Sequence, residues 1–369
     1  MRTYIALASI ALLLNTNITS SDVVQTNTSS RATLGNVCFA AACAKLGALV
    51  RPVGLIEPTR TLALLAEKQS IPQKKVQVSY LNIYPSYLGE LVEEGLRLGY
   101  GPSDFGVERI GLGGELVSEG LKARARRLFG EDVAYDEGYG MTETWPLPGQ
   151  LCSEGHLHFE PLMALVEVLG FEETKGNEEA AAKEGEEASC PQEQQPGTLV
   201  ATPLPPYRDT TILLRYDTQD VVRPLAGPLS CELKDQPATS PLLGKLRLAV
   251  THEGGYTFPR DVLEALEEDE NVPLPARYGF WSVPAGGVGV EVLARSTDPS
   301  VRRAIEARLE ERAVPVRELR LVEDRSELRH RLVPLRCDLR ELSFDAPGAS
   351  STNAEVGLAA PSEPETRGS

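Results

Sequence analysis

Positive charge is what this chain is short of. Its 37 lysines and arginines stand against 53 aspartates and glutamates, a formal net charge of −16 over 369 residues. A surface of that sign repels phosphate backbones and argues against a nucleic-acid partner. A long apolar run is also missing: the longest, over 4–14, is too short to span a bilayer, so no membrane partner is expected. Cysteine is sparse and irregular. Cys38, Cys43, Cys152, Cys190, Cys231 and Cys337 lack the dense spacing of a disulfide scaffold, which fits a reducing, cytoplasmic compartment. The 41% of hydrophobic residues supply a real core, and the length suits two domains or one large domain with a smaller companion.

The N-terminus points the other way. Arg2 and the apolar run after it resemble a secretory h-region, and Asn17-Ile18-Thr19 and Asn27-Thr28-Ser29 are glycosylation sequons. No small-x-small cleavage site follows cleanly, and the same run suits a buried helix. Cytoplasmic location is the expectation; export, with 1–21 as the signal, is the alternative.

Taken in order, the first half alternates strands and helices. Strands are predicted at 22–24, 48–50, 76–78 and 107–112. Helices are predicted at 36–46, 57–69, from Pro85 onward (Leu88, Leu91, Val92, Leu96) and at 119–129, the last on an i, i+4, i+7, i+8 stripe. That rhythm implies an α/β layer with a mostly parallel sheet. Lys122, Arg124, Arg126 and Arg127 read as a solvated helix face. From 164 the pattern becomes all-β, with strands at 164–169, 197–202 and 210–216. Residues 171–197 carry so much like charge and so little apolar content that they read as a disordered acidic insertion. After 245 the order strand 246–250, helix from Pro259, strands 277–283 and 288–294, helix from Pro299, strand 316–322 is the βαββαβ of a small ferredoxin-like α+β domain. A Pro/Ser/Gly-rich tail over 344–369 follows.

The stretch richest in chemistry is 136–144. Tyr139 can stack on a base, Gly138 and Gly140 admit a close ligand, Thr142 can donate to a phosphate oxygen and Glu143 can hold Mg²⁺. Gly111-Leu112-Gly113-Gly114-Glu115 lies between a strand and a helix, but Leu116 stands where a dinucleotide fingerprint needs glycine. It is either a glycine-lined adenine pocket or a tight turn. In 214–220, Asp220 can accept from a ribose diol or simply cap a turn. Cys152-x₃-His156-x-His158, with Cys231 downstream, has zinc-type ligands in a spacing that matches no standard zinc motif, and packing serves equally well.

Gly113-Gly114-Glu115, Tyr139-Gly140-Met141-Thr142-Glu143, Cys152 with His158, Arg215-Tyr216-Asp217-Thr218-Gln219-Asp220 and Gly255-x-x-Phe258-Pro259 occur in this order. Together they resemble phenylacetate–CoA ligases, within the adenylate-forming enzymes, over about 22–340. The resemblance implies an α/β fold: a large α/β plus β-barrel-like N-terminal part (1–245) and a small, mobile ferredoxin-like C-terminal domain (246–343). It implies ATP, Mg²⁺ and coenzyme A as cofactors, a carboxylic (aryl) acid as substrate, and a homodimer. Tyr139 and Gly140 would meet the adenine, Gly113, Gly114 and Glu115 would line its pocket, and Asp220 would hold the ribose. Thr142 and Glu143 would serve the phosphates and Mg²⁺. Tyr84, Pro85, Ser86 and Tyr87 would wall the acyl pocket, and a hinge would fall near 244–247.

Three departures stand out. Residues 26–31 lack the glycine and lysine of the family's phosphate loop, so the chain reads as N-terminally short. Gln219 replaces a glycine, and Gly244-Lys245 replaces Gly-Arg. The C-terminal lysine has no counterpart before Cys337: Leu332, Val333 and Pro334 stand in its place, with Arg329 or Arg331 as the substitute. A relative that only binds nucleotide or acyl-CoA is the alternative function, and a secreted β-rich binding protein a third.

Overall fold

The computed structural model describes residues 6, 10, 16–28, 33–145, 149–171, 195–208, 211–284 and 286–340. Most of the signal-like start, the acidic stretch 172–194, residues 29–31 of the expected loop region and the whole 344–369 tail lie outside the described residues.

An eight-stranded sheet forms the first layer. Its parallel half is ordered β2 (Leu49–Pro52), β1 (Val23–Asn27), β3 (Tyr80–Ile83), β4 (Arg109–Gly113), β5 (Ala134–Tyr139). Helices α1 (Leu34–Lys45), α2 (Pro58–Ala66), α3 (Pro85–Arg97) and α4 (Glu119–Phe129) connect or flank these strands. Leu88, Leu91 and Val92 of α3 and Leu121, Ala125 and Leu128 of α4 share one core with Leu81, Ile83 and Ile110. That is where a 3.6-residue apolar stripe has to go when it meets a strand buried on both faces. The strand expected at 76–78 is not formed. Val76 is 60% exposed, and pairing with β1 and β4 begins at Tyr80.

Beyond β5 the sheet turns antiparallel through β6 (Gly149–Leu151), β7 (Leu157–Phe159) and β11 (Ala238–Thr239). A second sheet, β12 (Gly244–Lys245), β10 (Tyr216–Val222), β9 (Gly197–Pro203), β8 (Ala164–Gly170), packs on this end through Leu199, Ala201 and Val222 against Leu157 and Phe159. Among the described residues this part is an open four-stranded sheet rather than a closed barrel. Its third expected strand is displaced from 210–216 to Tyr216–Val222.

The last region holds a hairpin, β13 (Val250–His252) with β14 (Gly255–Thr257), then α5 (Pro259–Glu267), β15 (Tyr278–Ser282), β16 (Val288–Leu293), α6 (Pro299–Glu311) and β17 (Val316–Val322). The expected strand over 246–250 begins instead as a 3₁₀ turn, Leu246–Leu248. Gly255, at φ +123°, then folds β14 back on β13, so the main sheet has three strands where a ferredoxin-like one has four.

The two parts of the chain meet tightly. Glu264 and Glu267 of α5 face the N-terminus of α4, where Glu264 accepts from Glu119 N at 3.0 Å and Glu267 from the Ser118 hydroxyl. Carboxylates there satisfy otherwise orphaned amides and the positive end of the helix dipole. Arg124 is 8% exposed and binds Val272 O at 2.8 Å and the Glu93 carboxylate, while Lys122 pairs with Glu137. Lys122 and Arg124 therefore belong to a seam of ion pairs rather than a solvated face, while Arg127 stays exposed beside Glu270. No helix among the described residues is long and apolar enough to cross a membrane. Asn27 is wholly buried with Nδ2 on Gly54 O at 2.8 Å, so the folded chain offers no carbohydrate acceptor there.

Candidate functional site

Between the end of the parallel sheet and the late chain lies a cavity of about 490 Å³. Its walls take in Tyr139, Gly140, Gly114, Glu115, Pro85 and Ser86 from the first layer and Asp220 from the second sheet. Position explains the convergence. Loops after parallel strands open at the sheet's carboxyl edge, where α/β ligand sites form, and β3, β4 and β5 deliver Pro85–Ser86, Gly114–Glu115 and Tyr139–Gly140 to that edge.

Tyr139 belongs to the final position of β5 rather than to a turn. Its hydroxyl donates to Asp220 Oδ2 at 2.9 Å, joining the two sheets, and its ring meets Phe159 edge-on at 6.2 Å. Burial, then the neighbouring Asp220 charge, pushes the phenol pKa upward, so it remains a donor. Asp220 is placed by register. β10 pairs with β12 so that Asp220 stands opposite Lys245, whose Nζ reaches Oδ2 at 2.9 Å and Thr218 O at 2.9 Å. Lys245 lines the cavity, and the sequence places it only beside the hinge. Only the cross-strand register, not its place beside a hinge glycine, shows it.

Gln219 has φ +60°, in the left-handed region where a residue with Cβ costs roughly 1–2 kcal/mol. This is the position at which the resemblance expects glycine. The strand shifts register between Asp217 and Val221, and Asp217 steadies the bend by accepting from Gln219 N at 2.9 Å. Gly244 has φ +128°, and a Cβ there would lie 2.7 Å from the Pro259 ring.

Glu115 and Ser86 do not stand in the cavity as separate walls. Glu115 accepts from Ser86 N at 3.0 Å, Ser86 Oγ at 2.7 Å and Arg336 N at 2.6 Å, and Ser86 Oγ accepts from Cys337 N at 3.0 Å. Burial raises the Glu115 carboxyl, and these donors pull it back. The bracket holds the segment 333–336 against the cavity, where the exposed Arg336 lies 5.8 Å from the Tyr84 ring. Arg336, not Arg329 or Arg331, is the basic residue this segment brings to the cavity; the other two are exposed and outside its wall.

The remaining expected residues stand elsewhere. Tyr87 is fully buried in the core with its hydroxyl on Ile56 O at 2.6 Å and beside Thr61 Oγ1 at 2.7 Å, so it is a packing residue and not part of the acyl wall. Tyr84 caps α3 behind Arg336. Gly113 lines a small neighbouring recess with Glu115 and Tyr139. Thr142 and Glu143 lie exposed on the turn after β5, outside the cavity wall. Cys152, His156, His158 and Cys231 do come together, with one ligand atom from each inside 4.8 Å of all the others.

Lys245, Arg247 and Arg336 share the cavity wall with Glu115, Asp220 and Glu267, so the lining carries both signs and can meet a ligand that has anionic and hydroxyl groups. The Tyr139 ring and Asp220 carboxylate beside them suit a base and a diol.

No protein-family model and no curated protein matches the sequence. Solved structures do match. A 2-hydroxyisobutyryl-CoA ligase in the postadenylation state, in complex with R3-HIB-AMP, has a TM-score of 0.66 at 18% identity, over 89% of this chain and 67% of that one. The anthranilate CoA ligase AuaEII in complex with anthranoyl-AMP gives 0.60 at 13%, over 92% and 63%. An ATP-bound RpMatB–BxBclM chimera gives 0.57 at 14%, over 93% and 65%. The chain thus has a mixed α/β fold similar to that of these CoA ligase structures, and it spans less than two thirds of the latter two.

Proposed function

We propose that the chain activates a carboxylic acid, an aryl acid by the phenylacetate–CoA ligase resemblance, at the expense of ATP. A carboxylate oxygen attacks the α-phosphorus, and pyrophosphate leaves with the other two phosphates. The thiol of coenzyme A then attacks the acyl carbon, its proton passes to solvent, and AMP departs. Tyr139 offers its ring to the adenine, Asp220 accepts from the ribose hydroxyls, and Lys245 neutralises charge beside them. Thr142 and Glu143 meet the phosphates and Mg²⁺ from the turn above. The region after Gly244 rotates between the half-reactions. The observation that carries this reading is the convergence of Tyr139, Asp220 and Lys245 on one cavity of an acyl-CoA ligase fold.

A second reading, binding without turnover, is favoured by the segment 333–336, which brings Arg336 rather than a lysine to the cavity. An arginine holds its charge in a wider, planar group and does not replace a lysine point charge.

Pyrophosphate release across aryl and alkyl acids with ATP·Mg²⁺ separates the two. Turnover is expected with aryl acids, falling by about 10²-fold in Asp220→Ala and in Glu143→Gln, as for loss of one preorganised electrostatic contact. Nucleotide binding with no pyrophosphate from any acid leaves the binding-only reading. Turnover indifferent to Glu143→Gln removes the Mg²⁺ assignment.

A further inference from the structure

The Cys/His cluster lies at the antiparallel end of the eight-stranded sheet, beyond β5 in the strand order, and its parts come from three places in the chain. Cys152 follows β6, His156 leads into β7, His158 sits within β7, and Cys231 arrives from the loop before β11. Cys231 Sγ is 3.3 Å from His158 Nε2, and Cys152 Sγ accepts from His156 N at 3.3 Å. Cys152, His158 and Cys231 are buried. Nδ1 of His156 is buried too and makes no hydrogen bond, a stranded polar atom of the kind a folded chain rarely tolerates without a ligand.

The two cysteine-bearing segments are fastened together by contacts of their own. Glu232 accepts from Ser153 N at 2.9 Å and from Ser153 Oγ at 2.6 Å, and Glu154 accepts from Ser230 Oγ at 2.7 Å. The cluster is therefore preorganised. Zinc bonds of about 2.3 Å to sulfur and 2.0–2.1 Å to nitrogen place tetrahedral ligand atoms roughly 3.3–3.8 Å apart. The four ligand atoms here, all within 4.8 Å of one another, need only a small contraction.

We propose that Cys152, His156, His158 and Cys231 bind one Zn²⁺ as a closed, structural site. Two thiolates and two neutral imidazoles fill all four positions, so none is left for water or substrate. Binding releases the thiol protons to solvent and changes no oxidation state. The ion ties the β6–β7 turn to the 230–232 loop. Because β6 pairs with β5 at Gly138–Gln150 and Tyr139–Gly149, it steadies the strand that carries Tyr139.

The test uses the full chain, grown with added zinc and freed of any affinity tag. Elemental analysis is expected to give one zinc per chain, lost in Cys152→Ser and in Cys231→Ser. Should those variants fail to fold, wild type stripped with a chelator and given Co²⁺ is expected to show the intense visible bands of a tetrahedral thiolate site. A zinc-free wild type without those cobalt bands overturns the proposal, and so does a Cys152–Cys231 disulfide found by thiol titration. Bound zinc with no pyrophosphate release overturns the ligase reading alone.

Discussion

The late chain meets the parallel layer in two opposite ways. Along the seam, α5 lies so close to α4 that a Cβ on Gly120 would come within 2.4 Å of the Glu267 carbonyl. A short step away, β12 and the segment 333–336 stand off from β5 and leave the 490 Å³ cavity, lined by both cationic and acidic side chains. One contact closes on packing, helix capping and ion pairs; the other leaves open space beside polar groups that pair with one another, Tyr139 and Lys245 both on Asp220. The difference teaches where closure is held. The seam holds the arrangement seen here, so the rotation about Gly244 proposed above would have to open the seam first.

Gly120→Ala breaks that comparison most directly. The added methyl meets backbone, which has no rotamer to move, so α4 and α5 must separate. A cost of about 3 kcal/mol is expected, at the upper end for overpacking, read as a lowered urea midpoint. An unchanged midpoint would mean the seam is loose and closure is held elsewhere.

Glu267 sharpens the same boundary because it caps α4 and also lines the cavity. Burial lifts its carboxyl from 4.5 to about 6. The folded chain therefore keeps a proton that the unfolded chain has already released, and stability falls as pH rises from about 4.5 to about 6. The shift corresponds to about 2 kcal/mol. Urea titrations between pH 4.5 and 6.5 should show wild type losing that much more than Glu267→Gln. Parallel pH profiles would mean the carboxylate is solvated.

What the sequence made legible follows the same division. Helix Glu119–Phe129 is predicted to the residue from the apolar stripe that runs its length, and the structure adds Ser118 at its start, accepting from Leu121 N at 2.9 Å. Strand Val316–Val322 is equally local. Tyr216–Val222 was misplaced because Asp217, Thr218, Gln219 and Asp220 give it no apolar alternation, and its bend serves the cavity. Tyr139 and Asp220 were found through motif residues, but nothing in the order of residues pairs Lys245 with Asp220. Ligand types announced the Cys/His cluster, while its convergence depends on a cysteine 73 residues beyond His158. Local chemistry is written in spacing; sites closed by distant strands are written in register.

The smallest effect tests the rim. In Tyr139→Phe the ring stays, and the 2.9 Å bond to Asp220 Oδ2 is lost together with a long contact to Met141 Sδ at 3.8 Å. A carboxylate has about four acceptor positions, so a ribose diol need not displace the phenol, and Tyr139 serves to orient Asp220. Losing one such bond costs about 1 kcal/mol, or about fivefold in ATP affinity by calorimetry. Tyr139→Ala also removes the stacking face and should cost distinctly more. A tighter Tyr139→Phe complex would reverse the assignment: the phenol would then be competing for Asp220, and the cavity seen here would be the resting state of the site.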